Sequence, residues 1–391
     1  MSDFAPVDFS SALYLGRRSF GLPVPGRFTL TAGKPAALHE PALHRAVARE
    51  VARRQGLEDG LLGPSTFHLF WDLFGMLPRT ATVLVDESTY RVGRWGVARA
   101  LLGGVPVRFF PAGDTVRLGR LLHGCAQEGR TPWVLTDGWW MAGNCPAPLG
   151  AYLRGLAPFP RGVLLVDDTQ AFGILGARPD PALPWGYGGG GTLPCLGLRS
   201  HKLVAITSLG KGLGVPVAVL AGSAARLRRC RLRSDVRVHT SPASDLHAWA
   251  AWQALQGDAA AGDGRRKKLY RNCLLFRKLL PEGAAAGGHV FPVQKLRLPD
   301  AGTALGLHAR LGREGIEALL LAGERRAGPA GAVPEVAFCL RADHTTEQVR
   351  RAAARIRAFF HESSFTLTPA PRATSHDLSQ PIPKPAPAAP R

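Results

Sequence analysis

The sequence predicts an α/β fold whose central sheet is mostly parallel, and two observations support this prediction. Short runs rich in apolar and β-branched residues recur at 80–88, 104–110, 131–138, 162–168, 202–208 and 215–222. Several of these runs lack the polar alternation of a half-exposed strand, which is typical of parallel strands buried on both faces. Helix-like segments such as residues 114–129 separate many of the runs, and this alternation favours an α/β layer fold.

The pattern changes after about residue 265, which predicts a second domain. In that region Thr345 and Gln348 have the spacing of a helix capping box, and an apolar stripe follows them. The last residues are rich in proline and poor in apolar side chains, which is typical of disorder. The expected parts are an N-terminal arm (1–45), a large α/β domain (46–265), a smaller α+β domain (266–365) and a disordered tail (366–391).

The composition of the 391-residue chain is that of an ordinary globular protein, with 46% hydrophobic and 20% charged residues. No run approaches the roughly 20 apolar residues that a membrane-spanning helix needs. The first residues lack the basic and apolar regions of a secretory signal. The six cysteines are scattered without a CxxC pair, which argues against a zinc site or a disulfide framework. We therefore expect a cytoplasmic protein with no membrane partner and no metal site.

The formal net charge of +20 raises the question of a nucleic-acid partner. Two clusters carry much of this charge, "RLRRCRLRSDVR" (226–237) and "RRKKLYR" (265–271). Neither contains the interleaved aromatic residues or the recognisable motif of a nucleic-acid-binding protein. The favoured interpretation is solvated arginine in an Arg-rich chain. A nucleic-acid-binding protein stays an alternative, which steep salt dependence of DNA or RNA binding would reveal.

Carboxylates end three of the predicted strands. Asp86 closes "VLVD", Asp137 closes "VLTD", and Asp167 and Asp168 close "LLVDD". The carboxyl ends of parallel strands form the ligand crevice of an α/β sheet, and Lys211 follows another predicted strand. Each acid alone is better explained as a helix cap. The combination predicts one site assembled from several loops.

The residue types at this edge fit pyridoxal 5′-phosphate (PLP). Lys211 stands between Gly210 and Gly212, and a cofactor lysine needs small neighbours so that the ring can approach. Asp167 supplies a carboxylate that can keep the pyridine nitrogen protonated. Ser208 supplies a hydroxyl for the phosphate, which helix N-terminal amides also bind.

The segments around these residues resemble a known family. "LLVDDTQAFGILG" (164–176) is similar to "VDEAHSxGxxG", and "TSLGKGLGVPVAVLAGS" (207–223) is similar to "GTLGKALGxxGGxVAGS", both from the PLP-dependent class II aminotransferase and α-oxoamine synthase family. Weaker matches follow the family's order across roughly residues 40–360: "RQGLEDGLLGPSTFHLF" (54–70), "TDGWWMAGNCPAPL" (136–149), "HTSPAS" (239–244) and "LRADHTTEQVRRA" (340–352). The resemblance implies the fold-type-I architecture of PLP transferases, with a large, mostly parallel, seven-stranded-type sheet domain and a smaller C-terminal domain.

The resemblance implies roles for several residues. Lys211 matches the lysine that carries the cofactor, Asp167 the partner of the pyridine nitrogen, and Ser208 the phosphate-binding threonine of the family. The phosphate cup falls on Ser65, Thr66 and the amide of Phe67, with a register uncertain by one residue. Ser241 matches a threonine that reaches the phosphate of the neighbouring subunit's cofactor. The resemblance thus implies a homodimer with shared active sites.

The sequence also departs from the family pattern. Tyr90 stands where the family has a histidine that stacks on the cofactor ring, and Gln170 stands where it has the histidine near the ring hydroxyl. Asp137 lies in the block that resembles "TEG" and is included among the cofactor-contacting residues. The arginine that binds the substrate carboxylate has no firm match, and Arg325 and Arg326 are the two candidates.

Three functions follow from this comparison. The favoured one is an α-oxoamine-synthase-like transferase, which condenses an amino acid with an acyl thioester and releases carbon dioxide. The alternative is a PLP-dependent aminotransferase, because transamination needs mainly the lysine, a stacked aromatic ring and a carboxylate clamp. A non-catalytic protein that keeps the fold is the third. The sequence does not identify the amino acid, the acyl donor or the pathway.

Overall fold

The computed structural model of the chain describes residues 6–16, 30–285, 287–322 and 334–363. In chain order, the helices are α1 (Ala42–Gln55), α2 (Thr66–Gly75), α3 (Arg91–Leu102), α4 (Thr115–Gln127), α5 (Leu149–Gly155), α6 (Thr192–Cys195), α7 (Ala224–Arg233), α8 (Asp235–His239), α9 (Asp245–Leu279), α10 (Ala301–Arg313) and α11 (Thr346–Glu362). The strands are β1 (Val7–Asp8), β2 (Asp59–Gly63), β3 (Ala81–Asp86), β4 (Val107–Phe110), β5 (Thr131–Asp137), β6 (Trp139–Trp140), β7 (Cys145–Pro146), β8 (Val163–Asp167), β9 (Leu203–Ser208), β10 (Ala218–Gly222), β11 (Val293–Lys295), β12 (Ile316–Glu317), β13 (Leu319–Leu321) and β14 (Glu335–Cys339).

The chain folds into two compact units, and it passes from the larger to the smaller between Asp263 and Gly264. Among the described residues, the larger unit contains 30–140 and 146–263, and the smaller contains 6–16, 141–145 and the described residues from 264 onward. The tail predicted at 366–391 lies outside the described residues.

The larger unit is built on a seven-stranded sheet with the order β2-β10-β9-β8-β5-β3-β4. Strands β9, β8, β5, β3 and β4 are parallel to one another, and β10 is antiparallel to both of its neighbours. Each of the six β-like runs of this region contains one of these strands, so the prediction of a mostly parallel α/β sheet is confirmed. The seventh strand, β2, was not predicted because its sequence "DGLLG" has the composition of a turn. Gly60 is needed there, since a Cβ atom would lie 2.3 Å from the carbonyl oxygen of Ala48 in α1.

Apolar side chains cover both faces of this sheet. On one face, Phe70 and Phe74 of α2 pack in a buried cluster with residues of the central strands such as Val83. On the other face, Val47 of α1 belongs to a second buried cluster that includes Val219 of β10. Every residue of β3, β8 and β10 is buried. A parallel sheet that is covered on both faces leaves its strand ends as the places where polar side chains can reach solvent or a ligand.

The smaller unit contains a three-stranded antiparallel sheet, with the order β11-β14-β13, and a short parallel pair of β1 with β12. Thr345 and Gln348 form the capping box that the sequence predicted at the start of α11. The apolar stripe of that helix is buried, as expected, at Val349, Ala353, Ile356 and Phe360. Across the described part of both units, no helix has the length and apolar character that a bilayer crossing requires.

Asp168 fixes the loop after β8 to the start of α6. Its fully buried carboxyl group accepts hydrogen bonds from the backbone N–H of Thr192 at 3.0 Å and from the Thr192 hydroxyl at 2.5 Å. Burial raises the pKa of Asp168 to about 7. Gly191 approaches so closely that a Cβ atom would lie 1.9 Å from the Asp168 carboxylate oxygen. Asp168 is therefore held inside the larger unit as a structural acid.

We predict that Gly191→Ala lowers the free energy of unfolding by more than about 3 kcal/mol, because the new methyl group collides with Asp168. Gly197→Ala is the comparison: Gly197 has a positive φ of 66° with nothing within 4 Å of its Cβ position, whereas Gly191, with φ 93° and ψ −163°, also has a backbone conformation open essentially to glycine alone, which adds to the cost of Gly191→Ala. Gly197→Ala should lose only the left-handed backbone cost of about 1–2 kcal/mol. Urea unfolding of the two variants measures the difference, and equal losses would contradict the role given to Asp168.

Candidate active site

The sheet register brings the predicted site residues to one edge. Asp137 at the end of β5 lies beside Asp167 at the end of β8, and Asp167 lies beside Ile206 of β9. Further along the same edge, Ser208 pairs with Ala218, which pairs with Gly63 at the end of β2. The predicted site residues thus lie at one edge, at the last residues of β5, β8 and β9 and in the segments that follow β2, β3, β8 and β9.

Lys211 lies on the loop that follows β9, and backbone contacts fix this loop against the loop after β8. A Cβ atom on Gly212 would lie 2.7 Å from the carbonyl oxygen of Phe172, and one on Gly173 would lie 3.2 Å from the Cα atom of Gly212. Glycine is therefore required where the two loops cross. Lys211 itself is half-buried. Burial raises the pKa of both Asp137 and Asp167, and the positive charge of Lys211 opposes this rise in each carboxyl group.

Asp137 and Asp167 form a buried pair of carboxyl groups, each with 8% of its surface exposed. Burial raises the pKa of Asp137 well above its ordinary value, and the neighbouring charge of Asp167 raises it further. Burial also raises the pKa of Asp167, but hydrogen bonds from Thr169 and the charge of Lys211 oppose this change. Asp137 is thus the member that keeps its proton, and Asp167 is the member that ionises first.

Tyr90 is held at this edge through its backbone. Its N–H group donates to the two carboxylate oxygens of Asp137 at 3.1 and 3.2 Å. Tyr90 is also the residue that caps the start of α3, and 61% of its surface is exposed. The carboxyl group of Asp137 therefore positions the backbone of Tyr90, the residue for which the sequence resemblance predicts a ring-stacking role.

Ser208 and Asp167 are linked by Thr169, a residue that sequence reasoning missed. The Thr169 backbone N–H donates to the Asp167 carboxylate at 3.0 Å, and the Thr169 hydroxyl oxygen accepts from the Ser208 N–H at 3.1 Å. The hydroxyl oxygen of Ser208 accepts from the N–H of Gly210 at 3.1 Å, which leaves its own hydrogen available to donate. A threonine directly after two strand-ending acids was the sequence signal for this link.

The start of α2 supplies the third part of the site. Ser65 caps this helix, and its hydroxyl oxygen accepts from the backbone N–H of His68 at 3.4 Å. Thr66 and Phe67 are the residues next to the cap, and the first N–H groups of a helix have no partner within it. Such N–H groups, together with the helix dipole, favour a bound anion.

Other acids at the strand ends do not join this group. Asp86 is fully buried and accepts from the Tyr152 hydroxyl at 2.6 Å and from Ser88, so it has a structural role like that of Asp168.

Gln170 is half-buried on the loop after β8, where the sequence places it. Ser241 is exposed just after α8, away from the strand ends in sequence.

Arg325 and Arg326, the two candidates for binding a substrate carboxylate, lie outside the described residues. Their predicted role therefore stays a prediction.

We predict that Asp137→Asn reduces the loss of stability that follows a rise in pH. The folded state raises the pKa of Asp137, so the folded protein keeps a proton that the unfolded chain releases at about pH 4. The free energy of unfolding therefore falls as the pH rises above that value. The amide keeps an oxygen for the Tyr90 N–H but does not ionise. Urea unfolding at about pH 5 and about pH 8 should show a smaller decline in the variant than in the wild-type protein.

Asp300→Asn is the control for this measurement. Asp300 is an exposed helix cap whose pKa is lowered by hydrogen bonds from Thr303, so its contribution is lost only as the pH falls. This variant should keep the wild-type decline between about pH 5 and about pH 8. An unchanged decline in Asp137→Asn would show that Asp137 is ionised in the folded protein throughout this range.

No protein-family model matches the sequence. The chain is 30% identical over 282 residues to 8-amino-7-oxononanoate synthase of Acidithiobacillus ferrooxidans, a match that covers 71% of this chain and 67% of that protein. It is 31% identical over 260 residues to the synthase of the same name from Cupriavidus taiwanensis, covering 64% of this chain. That second match spans 60% of the length of the Cupriavidus protein.

The fold is also that of solved enzymes. The structure of serine palmitoyltransferase (SPT) with a PLP internal aldimine superposes with a TM-score of 0.78, covering 91% of this chain and 88% of that chain at 14% identity. This likeness confirms the predicted fold-type-I architecture.

Proposed function

The chain belongs to the α-oxoamine synthase family of PLP-dependent enzymes, and from this premise we propose that it binds PLP at the carboxyl edge of its larger sheet and transfers an acyl group from a thioester to an amino acid. The observation that carries the proposal is the convergence of Lys211, the buried pair Asp137 and Asp167, and the start of α2 at one edge of the sheet. The identity of the amino acid and of the acyl donor is left open.

The residues at this edge fit the chemical groups of PLP. Lys211 would carry the cofactor through its amine, and Gly212 beside it lets the Lys211 loop pass against Phe172 on the loop after β8. Asp167, the carboxyl group that ionises first, would pair with the pyridine nitrogen and keep it protonated. Ser65, Thr66, Phe67 and Ser208 would hold the phosphate through hydroxyl and N–H groups. When bound, PLP supplies an electron sink for negative charge at the amino-acid α-carbon.

The protein side chains divide the remaining work. The Lys211 amine takes or returns the proton at the α-carbon of the amino acid, as a general base and acid. The aromatic ring of Tyr90 would pack against the cofactor ring, and the hydrogen bond from the Tyr90 N–H to Asp137 holds the backbone of Tyr90 in place. In the condensation, a bond forms between the α-carbon and the acyl carbon, the thiol leaves, and the α-carboxylate leaves as carbon dioxide.

Transamination is the second candidate, and the residues at two positions favour it. Tyr90 and Gln170 replace two histidines of the family, so neither position offers an imidazole that can move a proton near neutral pH. Transamination moves a proton between the α-carbon and the cofactor, which the Lys211 amine alone can do. The amide of Gln170 can still donate a hydrogen bond to the ring hydroxyl but cannot titrate.

We also propose that the enzyme is a cytoplasmic homodimer with shared sites. Three residues assigned to the cofactor are exposed in the single chain: Tyr90 at 61%, Phe67 at 40%, and Ser241. A second copy that covers this edge would exclude water from the reaction. In that arrangement Ser241 would reach the phosphate in the partner's site.

The reaction is tested by incubating the PLP-loaded protein with a panel of amino acids, each with and without acyl-coenzyme A thioesters. We expect free thiol and carbon dioxide in equal amounts with one amino acid, and only when a thioester is present. Lys211→Ala should lower this rate by at least about 10²-fold, the range for loss of a general acid and base. Lys267→Ala, which removes an exposed lysine, should leave it unchanged.

Two results would overturn the favoured reaction. Formation of a 2-oxo acid without any thioester would assign the protein to transamination. A protein that binds PLP but converts none of these mixtures would be a non-catalytic member of the fold.

A further inference from the structure

The larger unit has a pocket at the edge of the sheet opposite to the candidate active site. Its volume is about 390 Å³, within the range of small-molecule sites. Thr80, Thr131 and Val163, at the starts of β3, β5 and β8, line it, and so does the segment from Ser223 into α7. The same three strands end at Asp86, Asp137 and Asp167, so the pocket and the candidate active site lie at opposite ends of the strands.

One part of the pocket lining is apolar, and we call this part the floor. Leu73, Met76 and Leu77 from the end of α2, together with Trp133, form a surface on which a hydrocarbon or an aromatic body can lie. Cys230 also lines the pocket, but burial raises the pKa of its thiol to about 11, so it is not a reactive group there.

Another part of the pocket lining is cationic, and we call this part the rim. Arg161, Arg226 and Arg229 line it, and within the described residues no Asp or Glu lines it. The guanidinium of Arg226 lies 5.9 Å from the ring centre of Trp133, and its Nη1 atom donates to the carbonyl oxygen of His201 at 3.1 Å. Burial lowers the pKa of Arg226. The pocket lining therefore includes a partly dehydrated cation.

The start of α7 contributes two of the three arginines, Arg226 and Arg229, and Arg161 lines the same pocket. Ser223 caps this ten-residue helix, with its hydroxyl oxygen accepting from the Arg226 N–H at 3.4 Å. The first N–H group of the helix, that of Ala224, already donates to the Glu58 carboxylate at 2.9 Å, so the positive charge available to a ligand is that of the guanidinium groups. An anion placed here would receive charge-assisted hydrogen bonds from arginine, whose planar group suits carboxylates and phosphates.

We propose that this pocket is a binding site for an amphipathic organic anion, with an apolar body on the Trp133 floor and an anionic head group on Arg161, Arg226 and Arg229. This site is separate from the proposed PLP site, and its occupancy does not depend on the reaction that the enzyme catalyses. The apolar floor distinguishes it from a site for inorganic anions, and the arginine rim distinguishes it from a site for neutral hydrocarbons.

The test is calorimetric titration of the PLP-loaded protein with octanoate, which has both an apolar body and a carboxylate. We expect one site per chain, and binding weaker by about tenfold or more for acetate, which lacks the body, and for octanamide, which lacks the charge. Arg226→Met combined with Arg229→Gln should weaken octanoate binding by about tenfold or more. Arg228→Gln is the matched control, because Arg228 lies on the same helix but does not line the pocket.

The absorption spectrum of the bound cofactor should be unchanged in these variants, which shows that the fold and the PLP site are intact. Octanoate binding that the double substitution does not weaken would place the ligand elsewhere and overturn the proposal. Octanamide binding as tightly as octanoate would also overturn it, because the arginines would then have no role. Failure of octanoate to bind at all would contradict it as well.

Discussion

The burial of two carboxyl groups side by side, Asp137 on β5 and Asp167 on β8, is the constraint on which the candidate active site depends. Parallel pairing places these residues on adjacent strands at the same level, and packing on both faces of the sheet removes them from water. Two such groups cannot both ionise at low cost, so one keeps its proton and the other accepts a positive partner. Lys211 supplies one positive charge, and a protonated pyridine ring would supply another.

Each member of the pair also forms hydrogen bonds that fix the backbone of the loops around it. Asp137 uses its carboxyl group to hold the backbone of Tyr90, and Asp167 is fixed by Thr169, which also holds Ser208. The neighbouring acid Asp168 points into the unit instead and fixes α6 through Thr192. Adjacent aspartates thus have different partners: Asp167, the last residue of β8, is bound by Thr169, and Asp168, the next residue, is bound by Thr192.

The lysines illustrate the same separation. Lys202, at the start of β9, is buried, and its amine donates to the carbonyl oxygen of Leu156 at 2.9 Å, near the end of α5. Lys211, just past the other end of β9, lies instead at the edge where the strand-ending carboxyl groups meet. One strand therefore joins a structural lysine to a candidate cofactor lysine.

The sequence was sufficient to predict the sheet because few folds other than a buried parallel sheet accommodate uninterrupted apolar runs between helical segments. The position of the site followed from the strand-ending acids and from the glycines around Lys211. The pattern of strand-ending acids by itself could not separate the role of Asp86 and Asp168 from that of Asp137 and Asp167, since all four follow apolar strands. Only the family resemblance singled out Asp137 and Asp167. Partners distant along the chain, Tyr152 for Asp86 and Thr192 for Asp168, decide those roles. The arginine-lined pocket could not be predicted either, because its floor and rim come from segments far apart in sequence.

The most direct test of the account is to load the protein with PLP, reduce it with borohydride, and locate the attached pyridoxyl group by mass spectrometry of peptides. The account predicts that the label lies on Lys211 and is absent from Lys211→Ala. It also predicts a smaller amount of label in Asp167→Asn, because the pyridine nitrogen loses its ionised partner. A label on Lys202 or another lysine, or no label on the wild-type protein, would contradict it.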